Sequence, residues 1–114
     1  MKVAVLGARG RMGSIVCEAI QSTSDLELVA QLDVENDIAE LNNVNVDVFV
    51  DFTTPDVVMN HISYALKSKT HIVVGTSGFT SDKLEALEKQ CRTSPEVGVL
   101  IVPNFSLGAI LLAK

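Results

Sequence analysis

Apolar runs of five to seven residues alternate along the chain with segments whose apolar positions recur at helical spacing. Valine, isoleucine and leucine dominate the runs. Most of the runs carry few polar residues, as expected of strands that helices cover on both faces. The predicted strands cover residues 2–6, 26–32, 46–52, 71–75 and 97–102.

The segments between these strands predict helices. Thr54 is a suitable N-cap for one of them, Pro55 fits its first turn, and Asp56 suits its positive end. The predicted helices cover residues 11–22, 54–67 and 81–91, with a short, weak helix at 37–42 and a last helix that begins near Ser106. The helical side chains that we expect to be buried are Met12, Ile15, Val16, Ala19, Ile20, Val58, Ile62, Ala65, Leu66, Leu84, Leu87 and Cys91.

Strands that alternate with helices at this spacing predict βαβ units and a parallel sheet. The length of 114 residues suits one domain. We therefore expect an α/β fold of the Rossmann type, a doubly wound parallel sheet with strand order 3-2-1-4-5. In such a fold a ligand binds at the carboxyl ends of the strands, near the switch point of the topology.

The stretch VLGARGRMGS follows the first predicted strand. In this arrangement Gly7 permits a tight turn, Gly10 leaves room for a pyrophosphate, and Gly13 allows the helix to pack closely. The helix N-terminus attracts an anion, and Arg9 and Arg11 add guanidinium groups for phosphate. The spacing is GxxGxxG rather than the commoner GxGxxG, and glycine-rich turns also occur without ligands.

Asp33 stands at the end of the second strand, where an acid can accept hydrogen bonds from an adenosine ribose. The alternative is a solvated carboxylate in a turn. An acid at this position repels a 2′-phosphate and favours NAD, whereas the nearby arginines favour NADP. We therefore expect NADH or NADPH as the cofactor.

Polar or glycine-rich segments follow the three remaining strands and could form a nicotinamide pocket. Each segment taken alone is ordinary turn chemistry. The segments are Phe52-Thr53-Thr54, Gly75-Thr76-Ser77-Gly78 and Pro103-Asn104-Phe105.

The net charge of −5 argues against a nucleic-acid surface. We expect no membrane partner, since no apolar run approaches the length of a span and no secretory signal is present. Cys17 and Cys91 have no metal-ligand spacing, so we expect reduced thiols, no metal and a cytoplasmic protein. His61 is expected on the solvent side of its helix and His71 at a strand start, both in surface or structural roles.

Four segments in this order resemble the amino-terminal half of the dihydrodipicolinate reductase family: VAVLGARGRMGS, VDVFVDFTTPDVV, VVGTSGF and VPNFSLGA. The resemblance covers essentially the whole chain. It implies an NAD(P)H-dependent reductase of lysine and diaminopimelate biosynthesis, in which hydride passes to a cyclic dicarboxylate. The cofactor-binding residues that it implies are Gly7, Ala8, Arg9, Gly10, Arg11, Met12, Gly13, Asp33, Phe52, Thr53, Gly75, Thr76, Ser77, Val102, Pro103, Asn104 and Phe105.

The chain departs from the family pattern at three positions. Ser77 replaces a threonine, Val102 replaces a small residue, and Thr54 stands where many members carry histidine. The family's catalytic His-His and Lys motif lies in a second domain beyond this chain, so we assign no catalytic residue here. We expect residues 1–114 to be a truncated piece that binds cofactor without turnover, from a homotetrameric parent.

Two alternatives remain open at this point: the cofactor half of another dehydrogenase, and a non-catalytic nucleotide- or CoA-binding Rossmann module. The apolar end of the chain adds a further expectation. Residues 107–113 should self-associate or be poorly ordered, because they would lack their natural cover.

Overall fold

The computed structural model describes residues 1–33, 36–75 and 79–102. Within them, five strands alternate with three α-helices and one short 3-10 helix. The strands are β1 (Lys2–Leu6), β2 (Glu27–Leu32), β3 (Val48–Asp51), β4 (His71–Val74) and β5 (Val99–Ile101). The helices are α1 (Arg11–Gln21), α2 (Pro55–Ser68) and α3 (Ser81–Arg92), and the 3-10 helix (Ile38–Leu41) lies between β2 and β3.

All strand pairs are parallel, and the sheet order is β2-β1-β3-β4-β5. The Rossmann-like α/β class and the parallel sheet are therefore confirmed. The predicted order 3-2-1-4-5 is wrong, because the third strand lies on the other side of β1 from β2. The switch point of the topology then falls between β1 and β3.

The burial of the two strands explains this order. Glu27 and Gln31 of β2 are exposed, which an edge strand tolerates, whereas Phe49, Val50 and Asp51 of β3 are buried, as a central strand requires. In the described part of the chain, only a 3-10 helix of four residues connects β2 to β3. Such a short element cannot cover an additional edge strand as a full helix would.

Helices cover both faces of the sheet and enclose two apolar clusters. Helix α1 packs on one face, where Val16, Cys17 and Ile20 meet Val3 and Val5 of β1. Helices α2 and α3 cover the other face. The buried residues of that second cluster include Phe49, Ile72, Val58, Ile62, Ala65, Leu66 and Leu87.

The predicted elements lie within a few residues of the observed ones. The predicted burial of Val58, Ile62, Ala65, Leu66 and Leu87 is also observed, whereas Ile15 and Leu84 are exposed. The helix predicted from Ser106 and the self-association predicted for residues 107–113 lie outside the described residues. None of the helices in the described ranges is both long and apolar enough to cross a membrane.

Candidate functional site

The turn from β1 into α1 is tightly packed. Gly7 adopts a φ of 80°, a conformation that residues with a side chain rarely adopt. A Cβ on Gly13 would lie 2.0 Å from the Gly7 carbonyl oxygen, so only glycine allows the helix to approach this closely. A Cβ on Gly10 would meet that same oxygen at 3.4 Å, which is ordinary contact. Gly10 is therefore the glycine of this turn that packing does not require.

The N-terminus of α1 is set up to receive an anion. Gly10 is the N-cap and supplies no side-chain hydrogen bond, and the first intrahelical bond runs from Ser14 N to Gly10 O. The amides of Arg11, Met12 and Gly13 donate to no protein acceptor within the described residues. The first turn contains no acidic residue, unlike those of α2 and α3. An arginine at the positive end of a helix is unfavourable unless an anion is bound there.

Asp33 connects the end of β2 to this turn. Its Oδ2 accepts a hydrogen bond of 2.6 Å from the backbone N–H of Arg9. The amides of Gly7 and Ala8 donate to Leu32 O at 2.9 and 3.0 Å. A hydrogen bond therefore ties this partly exposed carboxylate to the glycine turn.

A cleft of about 270 Å³ opens between the carboxyl ends of β1, β2 and β3. Gly7 and Gly10 form one side of the cleft, and Asp33 lies next to them. The rest of its lining is mainly apolar. The lining residues are Leu6, Gly7, Gly10, Leu32, Asp33, Asn36, Ile38, Phe52, Thr53, Thr54, Val57 and His61.

A buried carboxylate lies behind this cleft. Asp51 ends β3 and is completely buried. Its Oδ1 accepts hydrogen bonds from the Thr53 amide at 2.8 Å and the Thr53 hydroxyl at 2.5 Å, and its Oδ2 lies 2.6 Å from His61 Nδ1. The contact between Asp51 and His61 joins β3 to α2 across the back of the cleft. A buried carboxylate needs such partners, because they compensate for the loss of its hydration. Removing one partner of a buried ion pair typically costs about 3–5 kcal/mol.

The expectation that His61 lies on the solvent side of α2 is wrong. Its side chain is only 12% exposed, and it lines the cleft. The sequence contained the signal, since His61 follows the buried Val58 by three residues and precedes the buried Ala65 by four. Those spacings place all three on one face of the helix. The sequence reasoning missed Asp51 and His61, and it also did not name the cleft-lining residues Asn36, Ile38 and Val57.

His71, by contrast, lies at the start of β4, the opposite end of the strands from the cleft. It is exposed, and its Nδ1 accepts a hydrogen bond of 2.8 Å from the Gly98 amide. This is the structural role expected of it.

The remaining predicted residues are only partly within the described ranges. Phe52 and Thr53 line the cleft. Gly75 donates to Asp51 O at 2.8 Å, and Val102 donates to Val74 O at 2.9 Å, so both follow the strand ends at the same edge of the sheet. Thr76, Ser77, Pro103, Asn104 and Phe105 lie outside the described residues.

Both cysteines are free thiols, Cys17 buried and Cys91 half-buried. Burial raises the pKa of each thiol above its ordinary value. In the described ranges, no group of three or more histidine, cysteine or acidic residues is placed to hold a metal ion.

Comparison with known proteins identifies the family. The sequence model described as "Dihydrodipicolinate reductase, N-terminus" matches residues 1–105. The chain belongs to the dihydrodipicolinate reductase family. The predicted resemblance is thus confirmed, and the glycine turn and the β1/β3 cleft described above are features of an amino-terminal domain of this family.

Curated relatives in the family carry the name 4-hydroxy-tetrahydrodipicolinate reductase. The protein of Cutibacterium acnes is 46% identical over 112 residues, which cover 98% of this chain and 45% of the relative. That of Corynebacterium urealyticum is 40% identical over 114 residues, which cover 100% of this chain and 46% of the relative. The chain therefore spans about half the length of the curated relatives that it matches.

Solved structures agree with this assignment. A dipicolinate-bound dihydrodipicolinate reductase from Paenisporosarcina sp. TG-14 matches with a TM-score of 0.80 at 26% identity, over 97% of this chain and 50% of that chain. A homoserine dehydrogenase from S. aureus matches over 89% of this chain and 31% of that chain, with a TM-score of 0.66 at 20% identity. The second likeness shows the shared fold alone.

Proposed function

We propose that this chain binds a nicotinamide dinucleotide, NADH or NADPH, in the β1/β3 cleft and serves as the cofactor-binding half of a 4-hydroxy-tetrahydrodipicolinate reductase. The observation that carries the proposal is the glycine turn and the N-terminus of α1 beside the Asp33 carboxylate. Three amides at the start of α1 have no protein acceptor in the described part of the chain and suit a pyrophosphate, and Asp33 binds the Arg9 amide of the same turn. This is the arrangement that a dinucleotide requires at a switch point.

The cleft fits the adenosine half of the cofactor. A Cβ at Gly10 would meet only the Gly7 carbonyl oxygen, so the space above this residue is free for a phosphate. We expect Asp33 to accept hydrogen bonds from the ribose hydroxyls, and the apolar side chains that line the same cleft suit a flat base. Arg9 and Arg11 are exposed at the same turn and can approach phosphate oxygens.

The nicotinamide would lie farther along the edge of the sheet, toward β3, β4 and β5. Phe52, Thr53 and Gly75 follow these strand ends, and we extend the proposal to Thr76, Ser77, Pro103, Asn104 and Phe105 on the family resemblance. The bound cofactor supplies the hydride, which in the whole enzyme reduces a cyclic dicarboxylate. The residues of this chain bind and orient the cofactor, and the substrate cations belong to the second domain of the family.

The charges at the turn support binding of both cofactors. Asp33 disfavours a 2′-phosphate and the two arginines favour it, so we expect the dissociation constants of NADH and NADPH to agree within about tenfold. Asp33→Ala should shift the preference toward NADPH. Calorimetric titration of both cofactors into the wild-type chain and the variant measures this shift, and unchanged constants would remove Asp33 from the adenosine site.

Titration of NADH, NADPH and coenzyme A under one set of conditions tests the proposal as a whole. We expect both nicotinamide dinucleotides to bind and to compete with each other. Tighter binding of coenzyme A would instead indicate a regulatory nucleotide-binding module, and binding of none of the three would overturn the proposed cofactor site.

A further inference from the structure

We propose that His61, held by the buried Asp51, recognises the 6-amino group of the adenine base; this inference rests on the proposed dinucleotide function. Ile38 and Val57 line the cleft together with Asp33, and their apolar side chains can contact a flat base. His61 lines this same part of the cleft and also the adjoining hollow beside Asn60. A partly apolar pocket with a few polar groups is the usual design of a base-selective site, and His61 stands here beside Asn36, Asp37 and Asn60.

Asp51 determines which ring nitrogen of His61 carries the proton. The carboxylate accepts from the Thr53 amide and the Thr53 hydroxyl on Oδ1, which leaves Oδ2 for His61 Nδ1 at 2.6 Å. We take Asp51 as a carboxylate, which can only accept hydrogen bonds, so Nδ1 is the donor in this assignment. In the neutral ring, Nε2 is then an acceptor.

Nε2 is available to a ligand. Nε2 has no hydrogen-bond partner within the described residues. Every buried side-chain nitrogen or oxygen atom of those residues does have a partner, so an atom without one, such as Nε2, is not buried. Nε2 is therefore accessible, and the spaces that the ring lines are the cleft and its adjoining hollow. An accessible acceptor next to an apolar slot suits the exocyclic amine of adenine, which is a donor.

This geometry predicts discrimination between adenine and hypoxanthine, which carries a carbonyl oxygen in place of the amine. The oxygen would face the lone pair of Nε2, and the hydrogen bond would be lost. We expect reduced nicotinamide hypoxanthine dinucleotide to bind the wild-type chain about tenfold more weakly than NADH, the ratio expected for one such hydrogen bond. Fluorescence or calorimetric titration of the two dinucleotides measures the ratio.

Two substitutions test the assignment. His61→Phe keeps a ring of similar size and removes the acceptor, so the two dinucleotides should bind with similar dissociation constants. Asp51→Asn should reverse the preference. The side-chain oxygen of the introduced asparagine will stay on the side of the two Thr53 donors, which turns its amide N–H toward His61 Nδ1 and moves the ring proton to Nε2. Nε2 then donates, and it favours the hypoxanthine oxygen.

His71→Phe is the matched control, because His71 lies at the opposite end of the strands and should leave the ratio unchanged. Nitrogen NMR of the His61 ring provides a readout that a merely structural role would not change: the protonated nitrogen should be Nδ1 in the wild-type chain and Nε2 in Asp51→Asn. Thermal unfolding shows that each variant is folded at the temperature of the titration.

The outcomes separate this inference from the proposed function. If the wild-type chain binds both dinucleotides equally, or if folded His61→Phe keeps the wild-type ratio, the assignment of His61 is overturned while the dinucleotide site stands. An unchanged ratio in folded Asp51→Asn overturns the positioning role of Asp51. If neither dinucleotide binds the wild-type chain, the proposed function fails and the base recognition fails with it.

Discussion

Gly10 and Gly13 lie three residues apart in one turn, yet their surroundings assign them different tasks. Gly13 is required by packing, because any side chain there would overlap the Gly7 carbonyl. Gly10 has ordinary contact distances, so a side chain there is sterically acceptable to the fold. A side chain at Gly10 would instead fill the space that we propose for the pyrophosphate.

These surroundings predict opposite consequences for two substitutions. Gly13→Ala should destabilise the chain by about 2 kcal/mol or more, since an overpacked site must shift its backbone. Gly10→Val should cost no more than about 1 kcal/mol, the usual range for an unfavourable N-cap residue, and should abolish NADH binding. Urea unfolding and calorimetry measure the two effects. Undiminished NADH affinity in Gly10→Val would place the cofactor elsewhere.

The two cysteines differ in their access to reagents. The pKa of each thiol is raised by burial, so less thiolate is present at any given pH than in an unburied cysteine. Cys17 lies inside the cluster under α1, whereas Cys91 is half-buried near the end of α3. We expect Cys91 to react with iodoacetamide before Cys17, and both to react slowly at neutral pH. Mass spectrometry of peptides from timed samples would reveal a reversed order.

At the scale of helices, two threonines occupy the same position with different hydrogen bonding. Thr80 caps α3, and its hydroxyl accepts from the Lys83 amide at 3.2 Å. Thr54 is the N-cap of α2, as predicted, but its side chain makes no capping hydrogen bond and lines the cleft instead. The propensity of threonine for the N-cap position therefore agrees with both helix starts without showing which hydroxyl forms the bond.

Alanine substitution should separate these two threonines. We expect Thr80→Ala to lower the free energy of unfolding by about 1 kcal/mol, the usual cost of losing an N-cap, and Thr54→Ala to cost clearly less. Urea unfolding of both variants, fitted with a common slope, provides the comparison. Equal losses would show that the hydroxyl of Thr54 does cap α2 in solution.

The sequence predicts local elements well and their arrangement less well. The spacing of apolar residues identified every described strand and α-helix. Strands and helices bury residues at different spacings, so the two kinds of element have different apolar patterns. The strand order depends instead on which strand occupies the centre. Glu27 and Gln31 in β2 and the buried Asp51 in β3 contain that information, but only once the two strands are compared.

The same distinction applies to the site. The glycine turn and Asp33 belong to one sequence motif, so their proximity could be predicted before the structure. Asp51 and His61 come together because α2 turns back over the end of β3, a contact that no single motif records. A carboxylate at the end of an apolar strand resembles an ordinary exposed residue until its burial is known.

At the scale of the whole molecule, binding and stability are linked. A ligand that binds only the folded chain stabilises it according to its concentration relative to its dissociation constant, by about 2.7 kcal/mol at a hundredfold excess. The sheet edge formed by β1, β2 and β3 contributes both to the core and to the cleft, so cofactor binding should raise the stability of the entire domain. NADH at a free concentration of about one hundred times its dissociation constant should therefore increase the free energy of unfolding in urea by about this amount.

Gly10→Val is the matched control for this linkage, because we expect it to fold without a usable cofactor site. NADH should leave its unfolding curve unchanged, whereas the wild-type curve moves to higher urea with the same slope. Coenzyme A at the same concentration should stabilise the wild-type chain less than NADH does. A wild-type curve that NADH does not move, or one that moves equally in Gly10→Val, would contradict binding at the glycine turn, since stabilisation must follow the ligand's preference for the folded site.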